Sequence, residues 1–83
     1  MAKLTDEDIK LKKAIASRIE ELRCATGLSK SQFAKEHALD RQAIGRWENK
    51  EDNRGITIYT IERFCSMVNI SLKNFFDSEL FKK

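Results

Sequence analysis

The chain has 83 residues, of which 35% are charged, and its formal net charge is +3. This length is enough for one domain with a small core, and the slightly basic charge neither requires nor excludes a nucleic-acid partner. The sequence has no apolar run long enough to cross a membrane and no apolar leader, so we expect one cytoplasmic domain over residues 1–83 without a membrane partner. Cys24 and Cys65 lack metal-like spacing, and we predict no metal, cofactor or small-molecule ligand.

The absence of proline, the presence of only three glycines and the lack of strand-like alternation predict an all-α fold. Residues 1–4 are expected to be a flexible N-terminus. Thr5 is expected to cap a long amphipathic helix over residues 6–25, which Gly27 ends. The buried stripe of this helix is predicted to be Leu11, Ile15, Ile19 and Leu22.

Two short helices should follow the long one. Ser29 is expected to cap a helix over residues 30–37, and Asp40 a helix over residues 41–48. Ala38 would form the turn between them, and in a left-handed conformation it would carry strain of about 1–2 kcal/mol.

Two more helices are predicted in the last third of the chain. Thr57 is expected to cap a helix over residues 58–68, with a polar loop before it. Its buried stripe is predicted to be Ile58, Ile61, Phe64, Cys65 and Val68. Ser71 is expected to cap a last helix over residues 72–77, and residues 78–83 should form a C-terminal tail.

The second short helix carries the side chains that most directly indicate a function. Its predicted base-contacting residues are Arg41, Gln42, Gly45 and Arg46. Arginine pairs with guanine and glutamine with adenine in the major groove of DNA. A mid-helix glycine costs roughly 0.5–1 kcal/mol relative to alanine, so Gly45 either lets the backbone approach DNA closely or is simply tolerated. Phosphate contacts are predicted from Ser29, Lys30, Ser31, Asn49, Lys50 and Arg54.

Short motifs occur in one register across residues 19–76. They are LR at 22–23, GLS at 27–29, FA at 33–34, Ile44, Glu48 with Asn49, and VNISLKNFF at 68–76. Together they resemble the lambda-repressor-like (Xre/Cro-type) helix-turn-helix family. LDRQAIG at 39–45, Glu48 and TI at 57–58 are most similar to the controller proteins of restriction-modification systems.

The resemblance implies a compact five-helix bundle whose third helix enters the major groove, and a salt bridge between Arg23 and Glu48. The chain departs from the family at Lys30, where glutamine is usual, and a lysine suits a phosphate better than a base. The function predicted on this basis is a sequence-specific regulator of transcription that binds double-stranded DNA as a homodimer on a palindromic operator.

The predicted dimer interface consists of hydrophobic residues that exceed what one small core can hide: Tyr59, Met67, Phe75, Leu80 and Phe81. A restriction-modification controller, a prophage repressor and an antitoxin all fit the resemblance. The alternative is a protein-interaction module of the same fold that binds a toxin or another regulator. An enzyme is the least expected class, because the chain has one histidine and no phosphate-binding glycine loop.

Overall fold

The computed structural model describes residues 4–51 and 56–82, and only the backbone of Arg41. Within these ranges the chain is all-α, as predicted, with five α-helices and no strands. The helices are α1 (Asp6–Ala25), α2 (Lys30–Glu36), α3 (Arg41–Trp47), α4 (Ile58–Met67) and α5 (Leu72–Phe76), followed by a 3-10 turn at Glu79–Phe81. Every helix begins where the sequence predicts and ends within one residue of the predicted position. None of the described helices is both long and apolar enough to cross a membrane.

The residues predicted as N-caps start all five helices. At α1, the Thr5 hydroxyl accepts a hydrogen bond from the Asp8 amide at 3.1 Å, and the Asp8 carboxylate accepts one from the Thr5 amide at 3.0 Å. Ser29 and Gln32 form the same reciprocal pair at the start of α2. These bonds satisfy amides that lack a partner in the first helical turn, so the side chains fix where each helix begins.

Three helices end on a residue in the left-handed conformation. These residues are Gly27 after α1 (φ 82), Ala38 after α2 (φ 54) and Asn69 after α4 (φ 60). After α2, the Leu39 amide reaches back to the Ala34 carbonyl at 2.8 Å, which closes the helix and turns the chain toward α3. The sequence predicted the end at Gly27, and it identified Ala38 as a residue that would be strained in a left-handed conformation.

The core is built around aromatic rings from four helices. Phe64 of α4 lies with its ring centroid 5.7 Å from Phe33, 6.2 Å from Phe75 and 6.3 Å from Trp47. Phe75 is 0% exposed, so its prediction as a dimer contact is wrong. The short α5 directs Phe75 into the core, where it is surrounded by rings of its own chain and is inaccessible to a partner.

Two residues predicted in buried stripes are half-exposed: Leu11 at 50% and Ile58 at 51%. Both lie in the N-terminal halves of their helices. A 20-residue helix such as α1 is about 30 Å long, and the longest dimension of the molecule is 36 Å. The apolar register of α1 therefore continues into its first half, where the described residues leave it half-exposed.

Candidate nucleic-acid interface

The helices α2 and α3 pack against each other and present their apolar sides to the core. Phe33 and Ala34 of α2 are buried, as are Ala43 and Ile44 of α3. Trp47 at the end of α3 is half-buried against the core, with its ring edge-on to Phe64. Core packing thus accounts for this tryptophan, and α3 is held along one side.

The opposite side of α3 is turned away from the core. Gln42 and Arg46 are exposed and Gly45 is half-exposed, and their spacing of three and four residues places them on one helical face. The Arg41 side chain lies outside the described structure, so only the position of Arg41 in the first turn of α3 is established. Two of the three predicted base-reading side chains are therefore exposed together.

Gly45 has no packing role inside the protein. A Cβ atom built at this position has no neighbouring heavy atom within 4 Å, apart from its own helix and adjacent residues. Its backbone is helical, so the conformation does not require glycine either. Nothing in the described part of the chain therefore requires a glycine at this position.

A buried ion pair fixes the end of α3 to α1. Arg23 donates to both carboxylate oxygens of Glu48, with Nε 2.6 Å from Oε2 and a terminal nitrogen 3.1 Å from Oε1. Its remaining terminal nitrogen donates to the Leu28 carbonyl at 2.8 Å. The hydrogen bond to Glu48 is the main reason that the pKa of Arg23 is raised. The salt bridge implied by the resemblance is present, and it connects three segments around the α2–α3 pair.

The predicted phosphate-contacting residues at the start of α2 are exposed. They are Ser29, Lys30 and Ser31. The Ser29 hydroxyl accepts from the Gln32 amide and keeps its own proton to donate to an acceptor such as a phosphate oxygen. The role of Gln32 was not predicted, although S-K-S-Q at 29–32 has the spacing of a capping box.

The phosphate-contacting residues predicted after α3 are less available. The Asn49 side-chain oxygen accepts from the Glu51 amide at 2.9 Å, which forms a local turn. The Lys50 ammonium lies 3.3 Å from a Glu20 carboxylate oxygen in a partly exposed pair. Arg54 lies outside the described residues.

The remaining residues predicted for the dimer interface differ widely in accessibility. Tyr59 is 75% exposed, and Leu80 is also exposed. Met67 and Phe81 are half-buried and pack against the core, with Phe81 beside the rings of Phe75 and Phe76. Of the predicted dimer contacts, Tyr59 therefore exposes most of its surface and Leu80 exposes 42%.

Arg18 has a role that sequence spacing did not reveal. It lies off the predicted stripe of α1, which suggested a solvated side chain. Instead it pairs with Glu21 and donates to the carbonyls of Phe75 at 2.8 Å and Asn74 at 2.9 Å. The guanidinium thereby ties the C-terminal end of α5 to α1.

Comparison of this chain with protein-family models and with curated proteins gives no match. The helix-turn-helix resemblance thus remains a prediction from the motifs. The functional proposal rests on those motifs together with the geometry of α2 and α3.

Proposed function

We propose that this chain is a sequence-specific DNA-binding protein of the lambda-repressor-like helix-turn-helix type, with α3 as its recognition helix in the major groove. The observation that carries the proposal is the two-sided character of α3. Its inner side is held by Ala43, Ile44 and the Arg23–Glu48 pair, and its outer side presents Gln42, Gly45 and Arg46.

The chemistry of the outer face fits base-edge recognition. The Gln42 carboxamide can pair with the N6 and N7 atoms of adenine, and the Arg46 guanidinium with the O6 and N7 atoms of guanine. Each such pair discriminates against the wrong base by about 1–3 kcal/mol. Arg41 is proposed as a second guanine reader from the first turn of α3.

A recognition helix of seven residues can read only a few base pairs. We propose that the chain pairs as a homodimer on a palindromic operator, with half-sites about 34–36 Å apart, one turn of the duplex. Such a protein would regulate transcription, as a restriction-modification controller or a prophage repressor does. Control would then act through protein concentration and pairing.

Phosphate contacts would set the register of α3 on the duplex. Lys30 and Ser31 are exposed at the start of α2, and Lys50 is held only by a partly exposed pair with Glu20. Exposed pairs contribute about 0–1 kcal/mol, so a phosphate can replace Glu20 as the partner of Lys50 at little cost. These contacts make binding depend on salt rather than on sequence.

Selection of bound duplexes from a random pool is the direct test of this function. A palindromic sequence should be enriched, and its affinity should fall steeply as salt rises from about 50 to 200 mM, because phosphate contacts release counterions. Binding that is indifferent to salt, or a pool from which no sequence is enriched, would contradict the proposal.

Substitutions on the selected duplex should separate base reading from phosphate binding. Arg41→Ala, Gln42→Ala and Arg46→Ala should each cost about 1–3 kcal/mol and relax the preference at one base pair. Lys30→Ala should weaken all sequences equally and reduce the salt slope by about one. Arg63→Ala is the matched control, since it removes the same kind of exposed side chain from another helix, α4.

A protein-interaction module or antitoxin of the same fold is the second candidate. The exposed apolar residues at the start of α1 and α4 favour some protein contact. Retained self-association together with a failed DNA selection would point to this candidate.

A further inference from the structure

An apolar notch lies beside the first half of α1. It encloses about 180 Å³ and is lined by Leu4, Asp8, Leu11, Lys12, Ile15 and Ile56. Four of these six side chains are hydrophobic, and Leu4 and Leu11 are each about half-exposed. This α1 notch is therefore an apolar surface that the described part of the chain leaves open to solvent.

The residues of the notch belong to the core-facing register of α1. Leu11 precedes the buried Ile15 by one helical turn and the buried Ile19 by two, so all three lie on one side of the helix. Ile56 packs against the edge of the core, and the half-exposed Ile58 follows it by two residues. The apolar stripe that α1 buries in its second half thus continues in its first half, where the described residues leave it half-exposed, as expected of a face that another element covers.

The charges that line the notch are self-complementary. Asp8 and Lys12 are one helical turn apart and both line it, with Leu11 between them. If a second α1 lies antiparallel on the notch side, with the two-fold axis at the height of residue 10, Asp8 of each copy faces Lys12 of the other. The same axis brings Leu4 of one copy to Ile15 of the other and the two Leu11 side chains close together. Reciprocal contacts of this kind characterise an isologous interface.

We propose that the α1 notch is the surface through which two copies of this chain pair. The inference rests on the proposed function in that it names the pairing surface of the proposed dimer. A second copy is the favoured occupant because two antiparallel α1 helices would cover each other's apolar stripe and place Asp8 of each copy beside Lys12 of the other. The C-terminal surface is less suitable, because Phe75 is buried and Phe81 packs against rings of its own chain.

Sedimentation equilibrium over a concentration series, without DNA, tests this pairing. Leu11→Asp should raise the dimer dissociation constant by about tenfold or more, equivalent to about 1.4 kcal/mol, because it places two carboxylates near the axis. Leu11 is half-exposed, so the variant should keep its helical circular dichroism. Leu80→Asp, an equal change at an exposed leucine in the C-terminal turn, should leave the dissociation constant unchanged.

A charge exchange gives a second test that does not depend on Leu11. Asp8→Lys and Lys12→Glu should each weaken pairing, since each sets like charges opposite one another. Asp8→Lys also removes the carboxylate that accepts from the Thr5 amide, so Asp8→Asn, which keeps an acceptor without the charge, is measured beside it. An equimolar mixture of Asp8→Lys and Lys12→Glu should pair again, because every contact in the mixed dimer joins opposite charges. Asp6→Lys and Lys13→Glu change the charge next to these positions without lining the notch, and should have no effect on pairing.

The inference is overturned if the wild-type chain is monomeric at all concentrations, if Leu80→Asp rather than Leu11→Asp abolishes pairing, or if the mixed variants do not reassemble. A monomer that still selects a salt-sensitive DNA sequence would overturn the pairing surface alone. A dimer through the notch that selects no DNA would overturn the proposed function alone.

Discussion

The two ends of α1 differ in how the rest of the protein holds them. At the C-terminal end, Arg23 is buried, bonded twice to Glu48 and once to the Leu28 carbonyl. At the N-terminal end, Leu4 and Leu11 are half-exposed beside an open notch. The first arrangement fixes the position of the α2–α3 pair. The second fits the proposal that the α1 notch is a pairing surface.

The largest effect is expected from breaking the buried pair. Glu48→Ala should lower the free energy of unfolding by about 3–5 kcal/mol, because Arg23 keeps its charge and stays buried without a partner. Glu20→Ala breaks the partly exposed pair with Lys50 and should cost less than about 1 kcal/mol. Urea denaturation of both variants measures the contrast, and equal losses would show that the α3 end of the molecule is not specially held.

The second comparison runs along α1 itself. Ile19→Ala removes a fully buried side chain and should cost about 2–5 kcal/mol, whereas Leu11→Ala removes a half-exposed one and should cost less than about 1 kcal/mol. Unfolding measured at low protein concentration keeps pairing from contributing. A loss at Leu11 as large as that at Ile19 would mean that the start of α1 is covered within the monomer.

A substitution in the turn between α2 and α3 should increase the stability of the protein. Ala38→Gly should stabilise the chain by up to about 1 kcal/mol, because the left-handed strain it removes exceeds the added entropy of the unfolded glycine chain. Ala14→Gly, the same substitution inside α1, should instead cost about 1 kcal/mol. Thermal unfolding of the pair reports the sign of each change, and a destabilised Ala38→Gly variant would contradict the left-handed turn.

The last prediction concerns Gly45, where one substitution should increase stability and decrease affinity for DNA. Gly45→Ala should raise the free energy of unfolding by roughly 0.5–1 kcal/mol, since the added methyl group meets no atom of the described residues within 4 Å outside its own helix and adjacent residues. Affinity for the selected duplex should fall if the α3 backbone lies against DNA. A more stable variant with unchanged affinity would show that the glycine is merely tolerated.

The helices were predictable because their signals are local. Thr5, Ser29, Asp40, Thr57 and Ser71 each cap a helix through an amide within three residues. Gly27 and Asn69 end helices for reasons that also lie in their own conformation. The outer face of α3 followed from its helical period, so the exposure of Gln42 and Arg46 was predictable as well.

The errors concern contacts between residues far apart in sequence. The helical period of α1 shows that Leu11 lies on the side of the helix that faces the core. It does not show how far the neighbouring helices extend to cover that side. Arg18 lies off the apolar stripe of α1, which suggested a solvated side chain. Its role was missed because its carbonyl acceptors lie in α5, more than fifty residues away in sequence. Phe75 was predicted to be at an interface because the chain has more hydrophobic residues than one small core can hide. Their number does not show which of them are buried in the core.

The measurement that tests the central claim most directly is an amide chemical-shift map of the chain titrated with its selected duplex. The largest shifts should fall on Gln42, Gly45 and Arg46, with smaller ones at Lys30 and Ser31. Shifts confined to α4 and α5, with α3 unchanged, would show that this helix does not read DNA.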